Sequence, residues 1–448
     1  MTLLSAISIP RSSEVRPLSF GERAKRPPCV GVIYPSGWGN LGDEAIMQAT
    51  FQALREQWPD VAIRAFTLHP ERTAANHQVD TEFLTGVNLR MFLSPRGDGP
   101  LPIRIAKAVA RRTRKIPFIG RIFSASADFT AAVVLESISL RSAWRWLQSA
   151  DLLLAAGGGQ LDAVWGGTWG QPYALARWAW LAKRAGVPFA FLSVGYGAAR
   201  TRTSRAFLRY AISAADYCSL RDAGSRDLTK QLGVRTELPV FPDLAFRLKS
   251  RPPLVARRPG FDVAMSPMAY MRPGSWPDEN GEEYQRYLNL WAEVTAERVR
   301  QGDRVHFFVT DPTDTVAVHE VWDRLDDATR KRCSIAEPMS PSELLEFYRS
   351  VDVVISSRLH GVLLAIVAAR PVVGLSHERK VRALMTEAGV GAFCLDLPTT
   401  SVRDVSSHFM NLTQQLEGCT RSLRDFAKRS RTSVKRQEAI LPALMRSR

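Results

Sequence analysis

The chain has little of what builds a covalent or metal scaffold. Its five cysteines (Cys29, Cys218, Cys333, Cys394 and Cys419) are odd in number and scattered, with no CxxC pair and no Cys/His metal spacing. That argues against a disulfide framework or structural zinc, and for a reducing compartment. Long apolar runs are also missing: no uncharged stretch approaches the ~18–20 residues that a spanning helix needs. Residues 1–28 lack a leading basic run, and their short apolar stretch is broken by Ser and Pro, so they read as a flexible arm and not a signal peptide. A cytoplasmic location is expected. Acidic residues are outnumbered, 44 Asp and Glu against 60 Lys and Arg, for a formal charge of +16. The excess implies an anionic partner: a sugar phosphate, a membrane face or a nucleic acid. No basic motif interleaved with aromatics accompanies it, so nucleic acid is not expected.

What is there is length and alternation. The 448 residues, 45% hydrophobic and 23% charged, suit two soluble domains plus extensions. Cys29–Tyr34 reads as a buried strand, followed by a glycine-rich turn, a helix over 44–57 and a strand over 61–68. Strand–loop–helix alternation continues to about residue 245 in five βα steps, with 86–130 less regular. A Pro- and Arg-rich stretch at 248–259 reads as a linker. Alternation then restarts at 261, with helices expected over 315–326 and from a capping box at Ser340-Pro-Ser-Glu343. The reading is thus α/β: an arm over 1–28, an N-terminal α/β lobe over 29–247, the linker, a C-terminal α/β lobe over 260–398 and a basic helical extension over 399–448. By analogy with two-Rossmann (GT-B) glycosyltransferase folds, the extension would pack across both lobes.

In open parallel sheets, ligands bind beyond the carboxyl ends of strands, where every unusual loop of this sequence falls. Gly37-Trp-Gly-Asn-Leu-Gly-Asp-Glu44 has dinucleotide spacing, but Asp43 and Glu44 open the next helix and would repel a pyrophosphate. Taken alone it reads as a tight turn. Gly157-Gly158-Gly159, then Asp162, Trp165 and Trp169, suit a sugar: aromatic faces stack on pyranose rings and a carboxylate accepts from hydroxyls. Asp162 is either a general base or a helix cap. Arg221, in Ser219-Leu-Arg-Asp222, is either a carboxylate or phosphate ligand or the partner of a neighbouring Asp. Arg358 and His360, in Ser356-Ser-Arg-Leu-His-Gly361, combine an anion ligand with a group that donates a proton near neutral pH. His377 and Lys380 add polar groups after the next strand and are either phosphate ligands or a solvated turn. Residues 101–123 pair a basic amphipathic segment with a Phe/Ile cluster, a candidate for peripheral membrane contact as against a helix packed on the first lobe.

Taken together, Gly39-Asn-Leu-Gly-Asp-Glu-Ala-Ile46, Gly157–Gly159, Arg221-Asp222, Pro242-Asp243 and Arg358-Leu-His-Gly361, in that order over 29–395, resemble the polysaccharide pyruvyl transferase family. The resemblance implies a two-lobed fold and transfer of a pyruvyl group from phosphoenolpyruvate to a sugar, lipid- or nucleotide-linked, as a ketal. It implies no nicotinamide or flavin, and the sequence offers no metal-ligand cluster. His360 would be the general acid, Asp162 the base, and Arg358 and Arg221 the anion ligands. Gly39, Asn40, Asp43, Glu44, Gly158, Gly159, Trp165, Trp169, His377 and Lys380 would line the substrate site. Gln160 departs from the family's hydroxyl-rich stretch. Two other readings stand beside this one: a sugar-nucleotide glycosyltransferase on the same scaffold, and a non-catalytic scaffold for polysaccharide assembly.

Overall fold

The computed structural model describes residues 26–86, 119–164, 166–197, 199–252, 259–276 and 278–446, with backbone alone over 119–131. Two six-stranded sheets are present, all parallel. The first holds β1 (Cys29–Ile33), β2 (Ala62–Thr67), β3 (Asp80–Phe83), β4 (Leu152–Ala156), β5 (Phe189–Val194) and β6 (Tyr217–Leu220), in the order β3-β2-β1-β4-β5-β6. The second holds β7 (Asp262–Ser266), β8 (Arg304–Phe307), β9 (Cys333–Ile335), β10 (Val353–Ser356), β11 (Val372–Ser376) and β12 (Cys394–Asp396), in the order β12-β11-β10-β7-β8-β9. Each lobe is therefore wound outward from its first strand, and the winding reverses between β1 and β4 and between β7 and β10. Loops diverge at such reversals and leave a crevice. The glycine-rich loop after β1, the Gly157–Gly159 loop after β4 and the Arg358-Leu-His-Gly361 turn after β10 all open there.

Strand β4, Leu-Leu-Leu-Ala-Ala, is buried throughout, as expected of a central parallel strand covered on both faces. Its side chains alternate between two cores. Leu153 and Ala155 pack with Phe66, Trp146 and Trp178 on the outer face. Leu152 and Leu154 belong to a core that runs without a break through the helix Leu41–Gln57 into the second lobe. Gly31 in β1 has no side chain because Trp146 occupies the space: an added Cβ would lie 2.3 Å from the indole.

The C-terminal extension forms three helices, Val402–Thr413, Leu416–Glu438 and Leu441–Arg446. The middle one packs on the second-lobe helix Leu359–Val367 and on the short Leu244–Arg247 helix that ends the first lobe. Its Gln437 is buried between Ser193 and Ser219 of the first sheet, accepting from Ser193 Oγ at 2.8 Å and donating to Ser219 Oγ. Glu438 holds Arg247 at 2.8 Å.

Three local readings differ from the structure. The first lobe has six strands, because polar Asp80–Phe83 forms an edge strand beside β2. The helix expected over 315–326 stops at Trp322, and Asp326 caps a separate turn, Asp327–Arg330, by accepting from Thr329 N at 2.7 Å. Ser340 does cap the helix Pro341–Arg349, but Glu343 reaches back to Met339 N and not to Ser340. Residues 1–25 of the arm, 253–258 of the linker and 101–118 of the basic segment lie outside the described residues.

Candidate active site at the junction of the lobes

The loop after β1 needs left-handed backbone at Gly37 and Gly39, with φ of +104° and +89°. Asn40 then caps the helix Leu41–Gln57: its Oδ1 accepts from Gly42 N at 2.9 Å and Asp43 N at 3.3 Å. Its Nδ2 donates across to Asp311 Oδ2 of the second lobe at 2.8 Å, and Leu41 N donates to Thr310 O at 2.7 Å. The first amides of this helix are thus occupied by the protein itself and cannot seat a pyrophosphate, in agreement with the tight-turn reading. Gly39 lies against the same region; an added Cβ would be 3.0 Å from Pro312 and 2.7 Å from Arg72.

Beside this loop, His360 from the second lobe is pressed onto the first. A Cβ at Gly42 would lie 2.0 Å from His360 Nδ1. His360 Nε2 is buried and 3.9 Å from Asp243 Oδ2, an ion-pair distance too long for a hydrogen bond, so that nitrogen has no hydrogen-bond partner. Asp243 is 5% exposed and accepts from Ala245 N at 3.0 Å. Burial raises its proton affinity, but His360, Arg221 and the Ala245 amide outweigh burial and hold the carboxyl below its ordinary range. Arg221 Nη1 is 3.5 Å from Asp243, and its Nε is 3.5 Å from Asp222, which also caps the next helix through Ser225 N. Asp43 is also within electrostatic reach of His360. Burial pushes its carboxyl up to about 6, against the pull of the His360 charge and of Tyr34 OH, which donates to it at 2.9 Å. Gly158, at φ +64°, fits only because it lacks a side chain; a Cβ would be 2.1 Å from Tyr34 OH.

Arg358 is clamped by Asp314. Nε and Nη2 each donate at 2.7 Å to the two oxygens of a carboxylate with no exposed surface, which also accepts from Ala269 N at 2.9 Å. Burial works against the charge, but the pair overrides it and holds the guanidinium's proton affinity above the ordinary value. The side chain keeps 28% exposure, which leaves donors for a ligand. His377 follows β11 and rests on Tyr270 and Trp276, ring centroids 5.0 and 5.5 Å away. Burial lowers its proton affinity, and Glu378 does not restore it against Lys380 and Arg358. The ring is therefore neutral at pH 7 and offers a hydrogen bond, not a charge. Lys380 pairs with Glu378 at 3.0 Å.

The structure thus gathers Gly39, Asn40, Asp43, Gly158, Arg221, Arg358 and His360 at the junction, with His377 on the adjoining second-lobe loop and Lys380 in the first turn of the helix Arg379–Glu387 that follows it. The remaining candidates differ in their surroundings. Glu44 is one helical step from Asp43, so it points into the first lobe and bonds His77 Nε2 at 2.7 Å. This corrects its assignment to the substrate site. Asp162 accepts from Val164 N and faces Gly197, where a Cβ would be 1.7 Å from Oδ2. It caps no helix. Gly159 faces open space. Trp169 is 60% exposed and packs tilted against Tyr173 and edge-on against Phe207, an aromatic surface on the first lobe. Trp165 lies outside the described residues. Gln160 is a brace: it donates to Ile33 O and Ala156 O and accepts from Gln171. Sequence reasoning quoted Asp243 without assigning it, and missed Tyr34, Asp311 and Asp314. The last two flank a Pro-Thr turn beyond β8, and two acids at a strand end were a usable signal.

A profile of the family described as polysaccharide pyruvyl transferase matches residues 40–379. The chain belongs to the polysaccharide pyruvyl transferases. No curated protein matches it significantly. Among solved structures it is similar to the UDP-GlcNAc 2-epimerase of Neisseria meningitidis bound to UDP-GlcNAc, with 8% identity, TM-score 0.53, and coverage of 94% of this chain and 100% of that one. It is also similar to HepE of Anabaena in complex with UDP and glucose, with 11% identity, TM-score 0.53 and coverage of 92% and 99%. The UDP-GlcNAc 2-epimerase of Methanocaldococcus jannaschii follows at 11% identity, TM-score 0.51 and coverage of 87% and 92%. At such identities the likeness is one of fold, the two-lobed GT-B arrangement. Among the described residues of this pyruvyl transferase family member, no helix is long and apolar enough to cross a membrane.

Proposed function

We propose that the protein transfers the pyruvyl group of phosphoenolpyruvate to two hydroxyls of a sugar in a polysaccharide or its lipid- or nucleotide-linked precursor. The observation that carries this reading is the meeting of two guanidinium groups, one from each lobe, with an imidazole pressed across the lobe boundary: Arg221 and His360 share Asp243, and Arg358 stands two residues from His360, oriented by Asp314. Phosphoenolpyruvate carries a carboxylate and a phosphate on one carbon, and two planar cations suit it.

In the proposed reaction His360 donates a proton to the methylene carbon, turning it into a methyl group and leaving an oxocarbenium-like centre at the neighbouring carbon. Arg221 and Arg358 balance the anions beside that centre. One sugar hydroxyl adds and gives up its proton, inorganic phosphate leaves, and a second hydroxyl closes the ketal with loss of its own proton. The proton donated by His360 stays in the methyl group; of the two released by the hydroxyls, one leaves on the phosphate as hydrogen phosphate and the other returns His360 to its protonated form. Asp162, in the same loop as Gly158 and Trp169, is assigned to the acceptor side as the base, with Trp169 as a stacking surface for the glycan.

The test is phosphate release from phosphoenolpyruvate with a panel of lipid- and nucleotide-linked sugars, run beside His360→Ala. Acceptor-dependent release that the substitution abolishes is the expected result. No release with any acceptor, together with no binding of phosphoenolpyruvate, overturns the reading and leaves the glycosyltransferase and scaffold alternatives.

A further inference from the structure

On the outer flank of the first lobe, the helices Ile119–Leu147 and Gln171–Ala185 lie side by side and leave an open groove of about 500 Å³. Leu140, Arg141, Trp144, Arg145, Trp180 and Arg184 line it, and no acidic residue does. Both indoles face outward, Trp144 at 40% exposure and Trp180 at 46%. The apolar face continues toward the start of the first helix through Ile138, at 57% exposure, and Val134, at 50%. Positions 134, 138, 141 and 145 follow helical spacing and so share one face. Arg184 lies over the Trp180 ring at 5.5 Å. The acid of this stretch, Glu136, is turned the other way, where Arg177 and Tyr173 hold it.

We infer that this face docks the protein onto an anionic lipid bilayer. Exposed tryptophans interleaved with arginines match the interfacial zone, where the indole body is apolar and its N–H stays wet, while guanidinium groups meet lipid phosphates. Charge decides between occupants. A second copy of the chain would set arginine against arginine. The chain's own segment 101–115 carries Arg104, Lys107, Arg111, Arg112, Arg114 and Lys115 and would be repelled in the same way. An anionic membrane attracts all of these groups, as it does the whole chain at +16. The inference does not depend on the pyruvyl transfer reading.

The experiment is flotation of the full-length protein with vesicles containing roughly one third phosphatidylglycerol, and with neutral phosphatidylcholine vesicles, at low and high salt. Trp144→Ala with Trp180→Ala, and separately Arg141→Glu with Arg145→Glu, are compared with the parent. The expected result is salt-sensitive binding to the anionic vesicles only, weakened about tenfold or more by either pair of substitutions, with unchanged thermal melting. Phosphate release with a soluble acceptor should also be unchanged, which separates failure of docking from failure of the transferase reading. Binding unaltered by the substitutions, equal binding to neutral vesicles, or no binding to either overturns the inference. So does a dimer or a nucleic-acid complex that the same substitutions dissolve.

Discussion

Replacing Gly42 by alanine should damage the chemistry far more than the fold. Gly42 lies in the first turn of the helix Leu41–Gln57 and is absent from the glycines with positive φ, so alanine fits the backbone. In a helix it should gain about 0.5–1 kcal/mol over glycine. The new methyl carbon would meet His360 Nδ1 at 2.0 Å, Cγ at 2.1 Å and Cβ at 2.7 Å. Ordinary contact lies near ~3.5–4.0 Å, so the ring must retreat by about 1.5 Å. It is held at its base, so the retreat moves the whole side chain. Overpacking of this kind costs roughly 1–3 kcal/mol, and the helical gain offsets part of it. A displacement of about 1 Å at a reacting group, by contrast, can cost on the order of a hundredfold in rate. Gly42→Ala should therefore lower kcat for phosphate release about a hundredfold, with a small change in melting temperature. Steady-state phosphate release and thermal melting test this, in the parent and in a His360→Ala background. Because the clash is mainly with the ring, the melting-temperature change caused by Gly42→Ala should become more favourable in the His360→Ala background, where activity is already abolished. Activity of Gly42→Ala within about threefold of the parent, or the same melting-temperature change in both backgrounds, would refute the reasoning.

Two further outcomes rest on the carboxylates of the junction. Asp314→Asn removes one of two acceptors that orient Arg358 and leaves a partly buried guanidinium poorly paired, so stability should fall by roughly 2–4 kcal/mol and the KM for phosphoenolpyruvate should rise about tenfold or more, with kcat affected less; urea melts and initial rates check it, and an unchanged KM would show that Arg358 does not hold the donor. Asp43 has its carboxyl raised from 3.8 to about 6, so the folded state holds its proton more tightly than the unfolded chain, and a penalty grows as pH rises from about 4 and is complete only above about 6. Asp43→Asn keeps an acceptor for Tyr34 OH and removes that penalty, so it should stabilise the protein by about 1–2 kcal/mol more at pH 8 than at pH 5; equal effects at the two pH values in denaturant melts would refute the burial argument.

How much of this was legible in the sequence depends on the span over which each feature is encoded. The two-sheet architecture was readable because each βα step is local: β4 announces itself as five apolar residues ending in three glycines, and β10 as an apolar run ending in Arg358-Leu-His-Gly361. The polar edge strand Asp80–Phe83 was not, since it gains its identity only by pairing with β2. The same division runs through the site. Loops at strand ends could be nominated one by one, but the partners of their side chains lie far along the chain. Asn40 finds Asp311, Gly42 makes room for His360, Arg358 finds Asp314, and Gln437 reaches back to Ser193 and Ser219. None of these pairings has a spacing rule, because each is set by how one lobe rests on the other. Glu44 shows the converse error. It is adjacent in sequence to Asp43, yet the turn of about 100° per helical residue sends one carboxylate to the junction and the other into the lobe. A motif therefore locates a strand end, while the geometry of the following helix decides which of its residues face the cleft.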